Sequence, residues 1–310
     1  MVRRRIDAGD VTGAVRILVN DGKLVEPNEA TAQERRNKHP DGALPPREHP
    51  GNYLRFTDRE LEQALKGLQT AGAPGPDGLR PCHIKQFCGL SAGDAGNATF
   101  RFLSEFINLC LSGNIPSSVR PLFFGASLCA LRKKDGGLRP IAFGLVLGRI
   151  VSRLCCVTVR ERISADLAPY QVGVEVRSEA ESAVHATRSY LQKCENDSGI
   201  VKLDFKNAFN CVDRNHMIKS VKSYLPELEA YVRSSYGVSS MLLFGKHRIK
   251  SSSGVQQGDP LGPLLFTLAV RSLSHESKAP FSLWYLDDAT LGGTASEVLS
   301  EIIRIRNGLH

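Results

Sequence analysis

The stretch Trp284-Tyr285-Leu286-Asp287-Asp288-Ala289 sets two carboxylates at the end of an apolar run, and Val201-Lys202-Leu203-Asp204-Phe205 ends in the same way. A carboxylate at the edge of a sheet is costly to desolvate unless it meets a cation. Phe281 to Leu291 reads as two strands around Asp287-Asp288, and Gly199 to Phe205 reads as a buried strand. If these strands are neighbours, Asp204, Asp287 and Asp288 converge on one point, where a hard divalent cation such as Mg²⁺ is the natural partner for oxygen ligands. Each piece alone is ordinary. An Asp-Asp pair suits a solvated hairpin turn, and a single Asp commonly caps a helix.

Around these segments the pattern is mixed. Thr57-Asp58-Arg59-Glu60 has the form of a capping box and opens an amphipathic helix through Leu61, Ala64, Leu65 and Leu68, ending near Gly72. Ala73-Pro74-Gly75-Pro76-Asp77-Gly78 then forms a tight, stiff loop. A helix from Asn97 aligns Phe100, Leu103, Phe106, Ile107 and Cys110 on one face. Phe123 to Leu131 reads as a strand, and Arg132-Lys133-Lys134-Asp135-Gly136-Gly137 as the basic tip of a hairpin. Helical patterns follow over Leu145–Leu167, Ser178–Cys194, Arg214–Tyr224 and Leu261–Leu273, with strand material over Met241–Ile249. At the start of the chain, Asp7 to Val19 has helical spacing, and Pro27 to Pro50 gathers five prolines and reads as a linker. There is no internal repeat and no regular alternation, so the pattern predicts an α+β fold.

Composition narrows the function. With 310 residues, 42% hydrophobic and 23% charged, the chain has neither the charge of a disordered protein nor the apolarity of a membrane bundle. Its net charge of +8 favours polyanionic partners, nucleic acid first. The eight cysteines lie mostly in apolar runs without zinc-knuckle spacing and read as buried free thiols of an intracellular protein. Residues 1–10 lack the apolar core of a signal peptide, and Arg149 and Arg153 interrupt the longest apolar run, so no membrane span is expected.

Taken together, these motifs resemble the reverse transcriptase family, most closely the enzymes of non-LTR retrotransposons. The resemblance covers about Gly72 to Gly293. Asp204-Phe205-Lys206-Asn207-Ala208-Phe209 looks like the first catalytic motif and Tyr285-Leu286-Asp287-Asp288 like the second. Between them, Gly254-Val255-Gln256-Gln257-Gly258-Asp259-Pro260-Leu261-Gly262-Pro263 looks like the loop and helix that support template and incoming nucleotide. Leu138-Arg139-Pro140-Ile141 looks like a fingers motif, and residues 73–78 like the short motif that precedes it. Five ordered motifs are far more specific than any one of them.

The resemblance implies a right-hand polymerase fold, with fingers and palm subdomains and a small antiparallel palm sheet flanked by helices. It also implies RNA-directed DNA synthesis by two-metal nucleotidyl transfer, with an RNA template, a DNA primer and deoxynucleoside triphosphates as partners. Two Mg²⁺ ions, with Mn²⁺ as the alternative, are expected on Asp204, Asp287, Asp288 and the carbonyl of Phe205. Arg139 with Lys133 or Lys134 is expected at the triphosphate, where guanidinium and ammonium suit developing negative charge. Phe209 is expected beneath the sugar, excluding a 2′-hydroxyl, with Gln257 and Gly258 beside nucleotide and template and Tyr285 near the primer end. Read without the family, Phe209 and Tyr285 are ordinary core aromatics and Arg132 to Arg139 an ordinary basic hairpin.

Two departures bear on activity. The family continues into a lysine that protonates pyrophosphate, a primer grip and a thumb, whereas residues 289–310 contain no lysine. Asn210 stands where many relatives carry aspartate. The expected organisation is a helical arm and Pro-rich linker over 1–52 and a fingers-and-palm domain over 53–310 that ends before the thumb, with thumb and endonuclease supplied by further polyprotein domains. Its expected place of work is the nucleus. The competing expectation is a silent retroelement remnant that binds RNA or RNA–DNA duplex without copying it.

Overall fold

The structure, a computed structural model, describes residues 24–46, 51–89, 92–132, 138–174 and 179–308. The helix expected over Asp7–Val19 and the basic tip with Lys133 and Lys134 lie outside the described residues. The elements run α1 (Glu29–Lys38), α2 (Asp58–Lys66), α3 (Pro81–Phe87), α4 (Gly93–Leu111), α5 (Arg120–Phe123), β1 (Ala126–Arg132), β2 (Leu138–Gly144), α6 (Val146–Leu167) and α7 (Glu179–Lys193). They continue with β3 (Ser198–Asp204), α8 (Ala208–Cys211), α9 (Arg214–Tyr224), α10 (Glu229–Tyr236), β4 (Ser240–Phe244), β5 (His247–Ser251), α11 (Gly262–Ala269), α12 (Arg271–His275), β6 (Phe281–Tyr285), β7 (Asp288–Thr294) and α13 (Ala295–Asn307). This is the α+β class that the sequence predicts.

Two sheets organise these elements. In β1 and β2 alternate residues are buried, Ala126, Leu128 and Ala130 on one strand and Leu138, Pro140 and Ala142 on the other. This period of two gives a sheet with one covered face. The strand order is β2-β1-β4-β5, with β1 antiparallel to β2 and parallel to β4. The second sheet, β3-β7-β6, is antiparallel throughout. A larger core surrounds α6, whose Ile150, Leu154 and Cys155 are inaccessible to solvent, and joins α2, α4, α9 and α11 to the hairpin residues Trp284 and Leu291. Among the described residues no helix is long and apolar enough to cross a membrane.

Thr57 caps α2 reciprocally with Glu60, as the capping box predicts, although the helix stops at Gly67 rather than near Gly72. Four other expectations are corrected. The stretch read from its prolines as a linker contains α1, opened by a capping box between Asn28 and Thr31. Periodicity does not reveal this helix because its buried residues are only Ala32 and Arg35. Arg35 lies over the Phe244 ring at 4.1 Å, and Lys38 donates to the Leu138 carbonyl at 2.6 Å, so α1 is fastened to the first sheet. The strand β3 is mostly exposed rather than buried, with Ile200 and Val201 open to solvent, because it forms the edge of its sheet. The single helix expected over Leu261–Leu273 is two, α11 and α12, broken at Val270. The cysteines are all free, yet only Cys110, Cys155 and Cys156 are buried, and Cys211 is exposed.

His39 ends α1 with its Nε2 buried and unpartnered. Burial, then the charges of Arg35 and Arg214, lower its pKa from 6.5 to about 4. A lowered base favours the neutral form in the fold, so its contribution is present above pH 6.5 and is lost as the pH falls toward 4. Urea midpoints measured across that window should fall with pH for the wild type and fall less for H39Q.

Candidate active site

Register brings the acidic segments together. Asp204, the last residue of β3, pairs directly with Asp288, the first residue of β7, and Asp288 pairs with Tyr285 across the hairpin. Residues opposite one another in an antiparallel pair project to the same face. Asp204 and Asp288 therefore share a face at one end of the sheet, with Asp287 in the two-residue turn beside them. The first residue of that turn, Leu286, has φ 56°, the positive value that tight hairpin turns require. On the strand side, the Phe205 ring stacks on Trp284 with centroids 5.7 Å apart, locking the two motifs to each other.

The electrostatics record this convergence. Burial raises the Asp287 pKa above its ordinary 3.8, and the charges of Asp288 and Asp204 raise it further, while Arg139 pulls it down. Lys202 reaches Asp288 Oδ1 at 3.1 Å as an exposed pair. Arg139 itself is exposed on β2, at the rim of the same acidic cluster. Among the described residues no group of three His, Cys, Asp or Glu side chains closes into a metal cage. The donor set nevertheless fits a hard divalent cation, being oxygen ligands only and sharing one end of a sheet.

The segment after Asp204 is shaped by Asn207, which adopts φ 58° and immediately precedes α8. Asparagine tolerates this left-handed conformation better than most residues. Its Oδ1 accepts from Asn210 at 2.7 Å, and its Nδ2 donates to the Lys38 carbonyl at the end of α1. Asn210, the departure from aspartate, is thus a buried structural partner of Asn207. Phe209 is half-buried and its ring stacks on Phe266 with centroids 4.5 Å apart.

Main-chain bonds carry that segment into the Gly254–Pro260 loop. Val255 N donates to Phe209 O at 2.7 Å and Gly254 N to Val212 O at 2.8 Å. Gly254, at φ 59°, leaves no room for a side chain, since a Cβ there would lie 2.3 Å from Phe209 O. The same loop then crosses to β2, where Ala142 N donates to Gln257 O at 2.6 Å and a Cβ on Gly258 would meet Ala142 O at 2.2 Å. Asp259 braces it, accepting from Tyr236 Oη at 2.5 Å and Leu261 N at 3.0 Å, with burial raising its pKa. Arg214 braces it from the other side, donating to the carbonyls of Gly254, Ser251 and Ser253. The stiff loop over 73–78 leans on the end of β2, held by Arg149, which donates to Ala73 O at 2.6 Å.

Asp204, Asp287, Asp288 and Arg139 thus share one electrostatic neighbourhood, flanked by Phe205 and Tyr285. Phe209, Gln257 and Gly258 stand on segments bonded to one another and to β2. Lys133 lies outside the described residues. Sequence reasoning missed Asn207, Arg214 and Gln171, whose side chains bond to distant backbone; the one visible signal was a lone polar residue, Gln171, among apolar neighbours.

The family model for reverse transcriptase (RNA-dependent DNA polymerase) matches residues 131–307. The chain is similar to the retrotransposable element SLACS 132 kDa protein of Trypanosoma brucei gambiense, 24% identical over 270 residues, which are 82% of this chain and 22% of that protein. It is also similar to the retrovirus-related Pol polyprotein from type-2 retrotransposable element R2DM of Drosophila melanogaster, 26% identical over 230 residues, 70% of this chain and 20% of that protein. The chain therefore spans about a fifth of the length of these relatives.

A raised carboxyl pKa means that ionised Asp287 opposes folding: its contribution is fully present below pH 3.8 and is lost as the pH rises through the higher folded value. D287N should therefore melt above the wild type at pH 7, with the gap closing as the pH approaches 3.8. Calorimetry or dye-monitored melting across this range checks it.

Proposed function

Because the chain belongs to the reverse transcriptase (RNA-dependent DNA polymerase) family, we propose that it copies an RNA template by adding deoxynucleotides to a primer 3′-hydroxyl, as the fingers and palm of a longer retrotransposon protein. The observation that supports this reading best is the pairing of Asp204 with Asp288 beside Asp287. These three side chains and the Phe205 carbonyl would hold two Mg²⁺ ions, or Mn²⁺ in their place. Bound there, the cations would lower the pKa of the attacking hydroxyl and neutralise charge on the departing pyrophosphate.

The chain's own groups do the rest. Arg139, at the rim of the acidic cluster, offers a guanidinium that grips triphosphate oxygens in a bidentate manner, and Lys133 adds an ammonium. Phe209 is backed by Phe266, so its ring cannot retreat from a ribose placed above it. A 2′-hydroxyl there clashes and a deoxyribose does not. Gly258 brings backbone close to nucleotide and template, while Gln257 supplies a donor and an acceptor. Tyr285, paired with Asp288, stands beside the primer end. The RNA template, the DNA primer, the thumb and endonuclease partners and the nuclear site of action follow from the same reading.

Primer extension on an RNA template with deoxynucleotides and Mg²⁺ tests it. The wild type should extend, and D204N and D287N should fall to background while remaining folded. A folded wild type that binds RNA–DNA duplex but extends nothing would favour the silent, binding-only reading. F209A should raise ribonucleotide use relative to deoxynucleotide by roughly tenfold, equivalent to a steric contact of ~1.4 kcal/mol. Unchanged sugar discrimination would remove Phe209 from its role.

A further inference from the structure

Leu286 is in an unusual position. Apart from Asn207 it is the only non-glycine residue at positive φ among the described residues, at 56°. A branched aliphatic side chain disfavours that conformation, which persists only where the surroundings over-determine it. Here one side chain bonds to both backbone groups of the residue. Gln171 Oε1 accepts from Leu286 N at 2.8 Å, and Gln171 Nε2 donates to Leu286 O at 3.2 Å. A single carboxamide thus satisfies both backbone groups of the strained residue.

Gln171 is itself held rigidly. It is inaccessible to solvent, and its Oε1 also accepts from Gly173 N at 3.0 Å. Its backbone runs parallel to β6, with Trp284 N donating to Tyr170 O at 2.7 Å and Val172 N donating to Trp284 O at 2.9 Å. Gly173 completes the fit, because a Cβ there would lie 2.7 Å from Leu286 N. The segment Tyr170–Gly173 therefore forms an outer rail along the hairpin, and its only side chain bonded to the turn is that of Gln171.

We infer that Gln171 is the positioning residue of this site: it holds Leu286 in its left-handed conformation and so fixes where the turn presents Asp287 and Asp288. The inference rests on the reading of those carboxylates as the metal-holding groups. Gln171 touches neither substrate nor metal. It acts through backbone geometry, where a shift of about 1 Å can lower a rate about 100-fold.

The test pairs an activity measurement with one that does not need activity. Q171M keeps the length of the side chain and removes its donor and acceptor. In primer extension it should lower kcat about 10–100-fold, the usual effect of losing a group that orients metal ligands, with nucleotide KM unchanged. Adding L286G to Q171M should restore most of the loss, because glycine adopts positive φ without help. Hydrogen exchange should show a protected Leu286 amide in the wild type and fast exchange confined to the turn in Q171M. Wild-type kcat in a folded Q171M overturns the inference, and so does a Leu286 amide that exchanges freely in the wild type. That second measurement decides the matter if Q171M does not fold. A wild type that extends no primer overturns the polymerase reading alone, and Leu286 protection that Q171M abolishes would still support the clamp.

Discussion

The meeting of Asp204, Asp287 and Asp288 at one end of the β3-β7-β6 sheet is the constraint on which the rest of this site depends. Burial raises the Asp287 pKa, and the charges of Asp288 and Asp204 add to that rise, so placing these carboxylates together has a cost. What holds them is backbone register. The antiparallel pairing of β3 with β7 runs unbroken from Ser198↔Thr294 to Asp204↔Asp288, so the acids can separate only by breaking the sheet. The stacked rings of Phe205 and Trp284 secure that end from beneath.

A second consequence is the continuity between the two sheets. The proposed reading puts Arg139 on the first sheet and the acidic cluster on the second, so the two sheets must keep their spacing. Here the connection is made by main-chain bonds, from Phe209 O to Val255 N and from Gln257 O to Ala142 N, with glycines at 254 and 258 permitting the approach. Arg214 and Asp259 bind the same loop with side chains. The α1 helix adds a further tie, since its end is bonded to Asn207, three residues after Asp204. Residues ahead of the matched family region, 131–307, therefore help to shape the segment that follows Asp204.

Much of this was legible in the chain because local rules govern it. The hairpin around Asp287-Asp288, the capped start of α2, and α6 and α7 all follow from periodicity and capping chemistry. The acidic cluster was legible because two apolar runs end in aspartate. What escaped reading depends on contacts between distant residues. α1 has almost no apolar stripe and is held by Arg35 and Lys38 on a sheet far along the chain. β3 looks like a central strand by composition, and only the strand order reveals it as an edge. Gln171 shows in the sequence only as a lone polar residue among apolar neighbours, and its partner Leu286, 115 residues away, has no local pattern that could name it.

The central claim is that Asp204 and Asp287 form one cation site although they come from segments far apart in the chain. The most direct measurement is Mn²⁺ binding followed by electron paramagnetic resonance, beside the shift in melting temperature that Mg²⁺ induces, for wild type, D204N and D287N. A ligand that binds only the folded state must stabilise it. The account predicts that the wild type binds Mn²⁺ and is stabilised by Mg²⁺, and that either substitution abolishes both effects. Binding that survives in D204N but is lost in D287N would contradict a shared site and reduce the pairing of the two motifs to architecture.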